Sequence, residues 1–163
     1  MEKQAVVHST FAIERTYPVS PEQVFAAFAD EDKKRTWFID GGNHEIQHYA
    51  LDFKTGGKED SRIRYGPGIP VSGMECVNET VYHYIVPNQR IVFSSSMTIG
   101  GRCISVALAT VELLKTDKGT DLLFTHQAAF FEGADGPAMR EDGWRKLLSK
   151  LGESLQRANA EKA

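Results

Sequence analysis

Apolar and polar positions alternate through "STFAIERTY", with Phe11 and Ile13 on one side and Thr10 and Glu14 on the other. That period of two predicts a half-buried strand. The pattern changes in "YPVSPEQVFAAFAD", where Val24, Phe25 and Phe28 gather on one helical side. Ser20 is placed to cap this helix, Pro21 suits its first turn, and Gln23 completes a capping box. Val19 and Val24 have the spacing of a hydrophobic staple. A second short helix is expected from an Asp30 cap, with acids early and bases later, as the helix dipole favours. Trp37 and Phe38 end it, and Gly41-Gly42 stop it.

From His44 to about Phe131 no helical period emerges. The strands expected there are "HEIQHYALDF", a segment around Arg62 to Tyr65, "NQRIVFSSSM", "RCISVALATVELLKT" and "DLLFTHQAAFF". "VSGMECVNETVYHYIVP" reads as one long strand or as two joined by a bulge. Pro87-Asn88 and "DKGT" supply turns. Six or seven consecutive strands with short connections predict an antiparallel meander. Gly136-Pro137 then opens a last helix, expected to run to about Ala158, with a frayed tail over 159–163.

On that helix Trp144, Leu147, Leu148, Leu151 and Leu155 share one face. The sheet has one apolar face to cover, and only this helix, roughly 30 Å long at 1.5 Å per residue, is long enough to cover it. The expected fold is therefore α+β: a curved antiparallel sheet of six to seven strands wrapped around a long C-terminal helix. Two short helices follow the first strand. So bent a sheet leaves a middle too wide for side chains to fill, and ligand cavities form in such places. Gly143 and Gly152 each cost the helix roughly 1 kcal/mol relative to alanine. They mark either close approach of helix to strand or room left for a ligand.

The 163 residues suffice for one domain, expected over 1–163 with its core from about 8 to 158. Hydrophobic residues make up 41% and charged residues 25%, as in ordinary globular proteins. A net charge of -3 argues against a nucleic-acid partner. "MEKQAVVHSTF" has no long apolar run, so neither a signal peptide nor membrane insertion is expected. Cytoplasm is the expected compartment, with Cys76 and Cys103 reduced. The "NET" sequon at Asn78 reads as chance.

No metalloprotease, nucleophile-elbow, phosphate-loop or dinucleotide motif occurs, and no cofactor or metal is expected. His44 and His48 would share a strand face but stand roughly 13 Å apart, too far to hold one ion. His83 points in or out according to register. His126 shares its face with Leu122 and Phe124, which places it at or near the pocket. It is the weak candidate for catalysis, as a base or as an orienter of a ligand carbonyl. The bland alternative is a buried histidine bonded to a carbonyl. Arg102 opens a strand, where it would either clamp a carboxylate or lie in solvent. Trp37, Tyr65, Phe93, Met97, Phe124, Trp144 and Leu148 complete the expected lining, and several of them read equally well as core. The Glu59-Asp60 and Glu141-Asp142 pairs read as solvated surface, and Cys103 as a small buried hydrophobe.

The order of elements resembles the helix-grip fold of the START/Bet v1-like superfamily. Within it, the chain is most similar to the family of the activator of Hsp90 ATPase homologue. The resemblance rests on "YPVSPEQVFAAFADEDKKRTWF", "FKTGGKEDSRIRY", "YIVPNQRIVFSSSM", "GTDLLFTH" and "GWRKLLSKLGESL", in that order and over about Thr10 to Leu155. Phe25 stands where the family often has tryptophan. The superfamily includes lipid and hormone carriers, polyketide cyclases and a chaperone co-activator, so the resemblance implies a fold more sharply than a function. It implies first a binder of a small hydrophobic or aromatic ligand, held between sheet and helix. The second reading is a polyketide cyclase-like enzyme using the same pocket. A chaperone partner comes last, because few residues precede the first strand. A homodimer is also expected, with the hairpin around Met74 to Val86 as its edge.

Overall fold

The computed structural model describes residues 5–162. Met1–Gln4, part of the stretch read for a leader, and Ala163, the end of the expected tail, lie outside the described residues. The chain runs β1 (Val7–Tyr17), α1 (Pro21–Ala29), α2 (Glu31–Phe38), β2 (His44–Leu51), β3 (Lys58–Tyr65), β4 (Glu75–Val86), β5 (Arg90–Ile99), β6 (Arg102–Thr116), β7 (Gly119–Phe130) and α3 (Pro137–Glu161). The strands make one antiparallel sheet in the order β1-β7-β6-β5-β4-β3-β2. It is the expected α+β helix-grip architecture. The tail expectation is corrected in part, since α3 continues through Glu161.

Local chemistry sets the helix starts. The Ser20 hydroxyl accepts from Gln23 N at 3.2 Å, and Gln23 Oε1 accepts from Ser20 N at 3.3 Å, a closed capping box. Asp30 Oδ1 accepts from Lys33 N at 3.0 Å and opens α2. Val19 and Val24 are both buried in the core.

Two bulges decide which side chains face inward. The β4–β5 register slips between Tyr82 and Tyr84, which leaves His83 as the extra residue. Tyr82 is therefore 1% exposed and Tyr84 52%, while Ile85, past the bulge, packs on the core. Both faces of this strand thus contribute inward residues, one on each side of His83. His83 itself lies outside, with Nε2 2.6 Å from Ser94 Oγ. A second slip, between Ile46 and His48, puts His44 at the cavity and His48 in solvent, so the expected shared face is not formed. From Glu75 to Val81 the Met74–Val86 segment offers no free edge, since β4 pairs there with β3 on one side and β5 on the other. The edges of the sheet are β1 and β2.

Cross-strand rows on the concave face grade from large to small. Ile13, Phe124, Val111 and Ile91 align in one row, all at 1% exposure or less. Phe11, His126, Ala109, Phe93 and Tyr82 make the next. Beyond it Ala128, Ala107, Ser95 and Thr80 align, and none of them is large. Side-chain volume drops at this row, and α3 does not fill the loss. Leu148, Leu151 and Leu155 are buried over the large rows, whereas Trp144, stacked on Phe124, and Leu147 are half-buried where the cavity begins.

The two helix glycines divide the readings offered for them. A Cβ on Gly152 would stand 3.1 Å from Tyr17 Cε1, so this glycine permits close approach of α3 to β1. Tyr17 fixes that approach by donating its hydroxyl to Leu148 O at 2.7 Å. A Cβ on Gly143 would meet nothing within 4 Å. Gly143 leaves space.

Candidate functional site

That space is a cavity of about 700 Å³ between the small rows of the sheet, α2 and the first half of α3. Its volume falls in the range of about 300–1,000 Å³ usual for small-molecule sites. Phe38, Phe93, Trp144 and Leu147 form its apolar wall. Ile69, Pro70 and Val71, on the β3–β4 connection, face Met139 of α3 across the outer part. Ile69 and Met139 are exposed there.

At the inner end lies a buried ion pair. Lys34 Nζ stands 2.9 Å from Glu59 Oε1, with 2% and 4% of the side chains exposed. Tyr82 donates to the same oxygen at 2.8 Å, and Tyr49 to Oε2 at 2.6 Å. Burial, and then the Glu59 carboxylate, push both tyrosine pKa values up, so both remain donors. The Lys34 ammonium also lies 4.6 Å from the Phe38 ring centroid and within 6 Å of Phe28, Trp37 and Phe93. These cation–π contacts replace part of the lost hydration.

A second pair flanks α3. Arg140 Nε and Nη2 each donate to an Asp135 oxygen at 2.9 Å, and Nη2 also donates to Ser105 Oγ at 2.9 Å. Its guanidinium carbon sits 5.1 Å from the Phe130 ring centroid. His126 also lines the cavity, 3% exposed and stacked on Phe11 at 4.7 Å. Its Nδ1 has no hydrogen-bond partner among the described residues. Burial, and then the Arg140 charge, hold its pKa down at about 4, so the ring is neutral at pH 7.

Of the residues expected to line a pocket, the structure brings together Tyr65, Phe93, Met97, His126 and Trp144. The other placements are corrected. Trp37 turns under α2, where its indole N–H donates to Ala27 O at 2.9 Å and locks α2 to α1. Phe124 belongs to the large row, beneath Trp144 at 4.3 Å between ring centroids. Leu148 lies one turn beyond Trp144, over the closed part of the core. Arg102 is exposed at the end of β6 beside the Gly100-Gly101 turn. The carbonyl-bonded alternative for His126 is not realised either. Cys103 is exposed and Cys76 buried, the reverse of the expectation for Cys103.

Sequence reading missed Lys34, Glu59, Asp135 and Arg140. Signals existed for three of them. Glu59 has the strand parity of Tyr65, Lys34 precedes Trp37 and Phe38 by three and four residues, and Arg140 precedes Trp144 by four. Extending each apolar face by one step would have included them, but a charged residue read by type alone goes to the surface. Among the described residues, no group of histidine, cysteine and acidic side chains could hold a metal ion. Nor is any helix there long and apolar enough to cross a membrane.

Residues 18–156 match the family described as activator of Hsp90 ATPase homolog 1-like protein. A Rhizobium loti protein of known structure is 46% identical, over 93% of this chain and 99% of its own, with a TM-score of 0.82. A Rhizobium leguminosarum structure is 32% identical over 93% and 97%, with a TM-score of 0.86. An Aeromonas hydrophila protein of the same family shares the fold at 16% identity, over 93% and 94%, with a TM-score of 0.67. No curated protein matches the chain.

Proposed function

The chain belongs to the activator of Hsp90 ATPase homolog 1-like family, and from that premise we propose that it is a cytoplasmic binding protein for a small amphipathic molecule. Family and fold support a ligand-binding or co-chaperone-type domain. The observation that carries the finer reading is the cavity of about 700 Å³ beneath α3. Its walls are mainly apolar, with a few fixed polar groups among them, as small-molecule sites usually are. Helix propensity alone would favour alanine over Gly143, whose replacement would begin to fill that space.

Titration with Nile red, a neutral apolar dye, tests this reading. The dye is expected to brighten on binding and to quench Trp144, which lines the cavity. Gly143→Leu is expected to abolish both signals while the protein stays folded. A native mass spectrum of freshly purified protein would show any carried molecule as extra mass and would count the subunits. Absence of dye binding by the wild type, or unchanged binding by Gly143→Leu, would overturn the proposal.

A further inference from the structure

The sheet wall of the cavity is more polar than the helix wall. Ser61 and Asn78 are cross-strand partners, and so are Thr80 and Ser95. All four line the cavity. The hydroxyls of Ser61, Thr80 and Ser95 make no hydrogen bond to protein among the described residues and are open to the cavity. His126 Nδ1, one row away, is likewise unpartnered. Buried polar groups are normally satisfied, so the unpaired His126 Nδ1, beside a row of uncommitted hydroxyls facing a cavity, points to a ligand that bonds to them. Trp144, Leu147 and Met139 of α3 also line the cavity and offer mainly apolar surface.

The charges of the cavity are already matched. Lys34 is held by Glu59, and Arg140 by Asp135 through two parallel bonds, the geometry a ligand carboxylate would need. The His126 ring adds no charge at pH 7. A carboxylate or ammonium entering this cavity would lose its water without gaining a free counter-charge, a large penalty.

We propose that the ligand is an uncharged molecule with hydroxyl or carbonyl groups along one side and an apolar opposite face. The polar side lies against Ser61, Asn78, Thr80 and Ser95, and the apolar face lies under Trp144 and Leu147. This rests on the binding function proposed above and names the class of molecule bound.

Equilibrium dialysis of the full chain at pH 7 against four compounds of one skeleton tests it. They are naphthalene-2,7-diol, 2,7-dimethylnaphthalene, 2-naphthoate and 2-naphthylmethylammonium. The diol is expected to bind about tenfold more tightly than each of the others, the worth of one or two well-made hydrogen bonds. In the variant carrying Thr80→Val and Ser95→Ala, which leaves both ion pairs intact, the diol should fall to the level of the dimethyl compound. Binding of the naphthoate or the ammonium compound as tightly as the diol overturns the inference. So does a preference for the diol that survives in the variant. If Nile red binds and none of the four does, this inference fails and the binding function stands; if Nile red fails as well, both fall.

Discussion

Lys34 Nζ and Glu59 Oε1 meet at 2.9 Å with both side chains almost wholly out of solvent. The carboxylate takes Lys34 and two tyrosine hydroxyls, and the ammonium is surrounded by rings. Removing one partner leaves the other charge buried without its match. Lys34→Met or Glu59→Gln alone is expected to destabilise the fold by about 3–5 kcal/mol. Lys34→Met with Glu59→Gln together should cost less than the sum of the single changes. Urea unfolding of the four corners of the cycle measures this. Additive losses would show that the pair does not act as a unit.

Gly143 and Gly152 are expected to respond oppositely to alanine. At Gly143 the new methyl has room, so helix propensity should raise stability by about 0.5–1 kcal/mol. At Gly152 the methyl meets the Tyr17 ring at 3.1 Å, and the hydrogen bond from Tyr17 to Leu148 O stops the ring from retreating. That substitution should be destabilising despite the better propensity. Thermal melts of the two variants decide it, and a gain at both sites would contradict the close packing at Gly152.

His126 makes stability depend on pH. Its folded pKa of about 4 lies below the ordinary value of 6.5, so the unfolded chain binds the proton more readily than the folded one. The contribution is complete above about pH 6.5 and is lost as pH falls toward 4, amounting to at most about 3 kcal/mol. Urea unfolding at pH 7 and pH 5 should show a drop in the wild type that shrinks in His126→Gln. Equal drops in both proteins would place the titration elsewhere.

The two thiols should separate cleanly. Cys103 is exposed, whereas Cys76 is buried and its pKa is raised chiefly by that burial. A colorimetric thiol reagent at pH 8 is expected to modify one cysteine quickly in the native protein and both in denaturant. Peptide mapping should place the fast label on Cys103.

Much of this architecture was legible because its signals are local. The cap at Ser20, the glycines at the turns and the stripe from Trp144 to Leu155 need no tertiary information. The site was legible only in part. Tyr65, Phe93, Met97, His126 and Trp144 are large or unusual residues at positions of inward parity. Asp135 belongs to a loop that carries no period at all, and the parity around His83 and Gln47 changes at bulges that only strand pairing reveals. Lys34 and Glu59 were hidden for a different reason. Each alone would belong outside, and only the meeting of an α2 side chain with a β3 side chain makes burial tolerable.

The pairing of β1 with β7, from Val7 opposite Phe130 to Tyr17 opposite Thr120, also constrains the order of assembly. During synthesis the first strand leaves the ribosome long before its neighbour exists. The meander from β2 to β7 can zip up hairpin by hairpin, while β1 and its aromatic residues must wait with their apolar side uncovered. The helix that roofs the cavity is made later still. A nascent chain of this fold is therefore most dependent on chaperone protection in the interval between the emergence of β1 and that of α3.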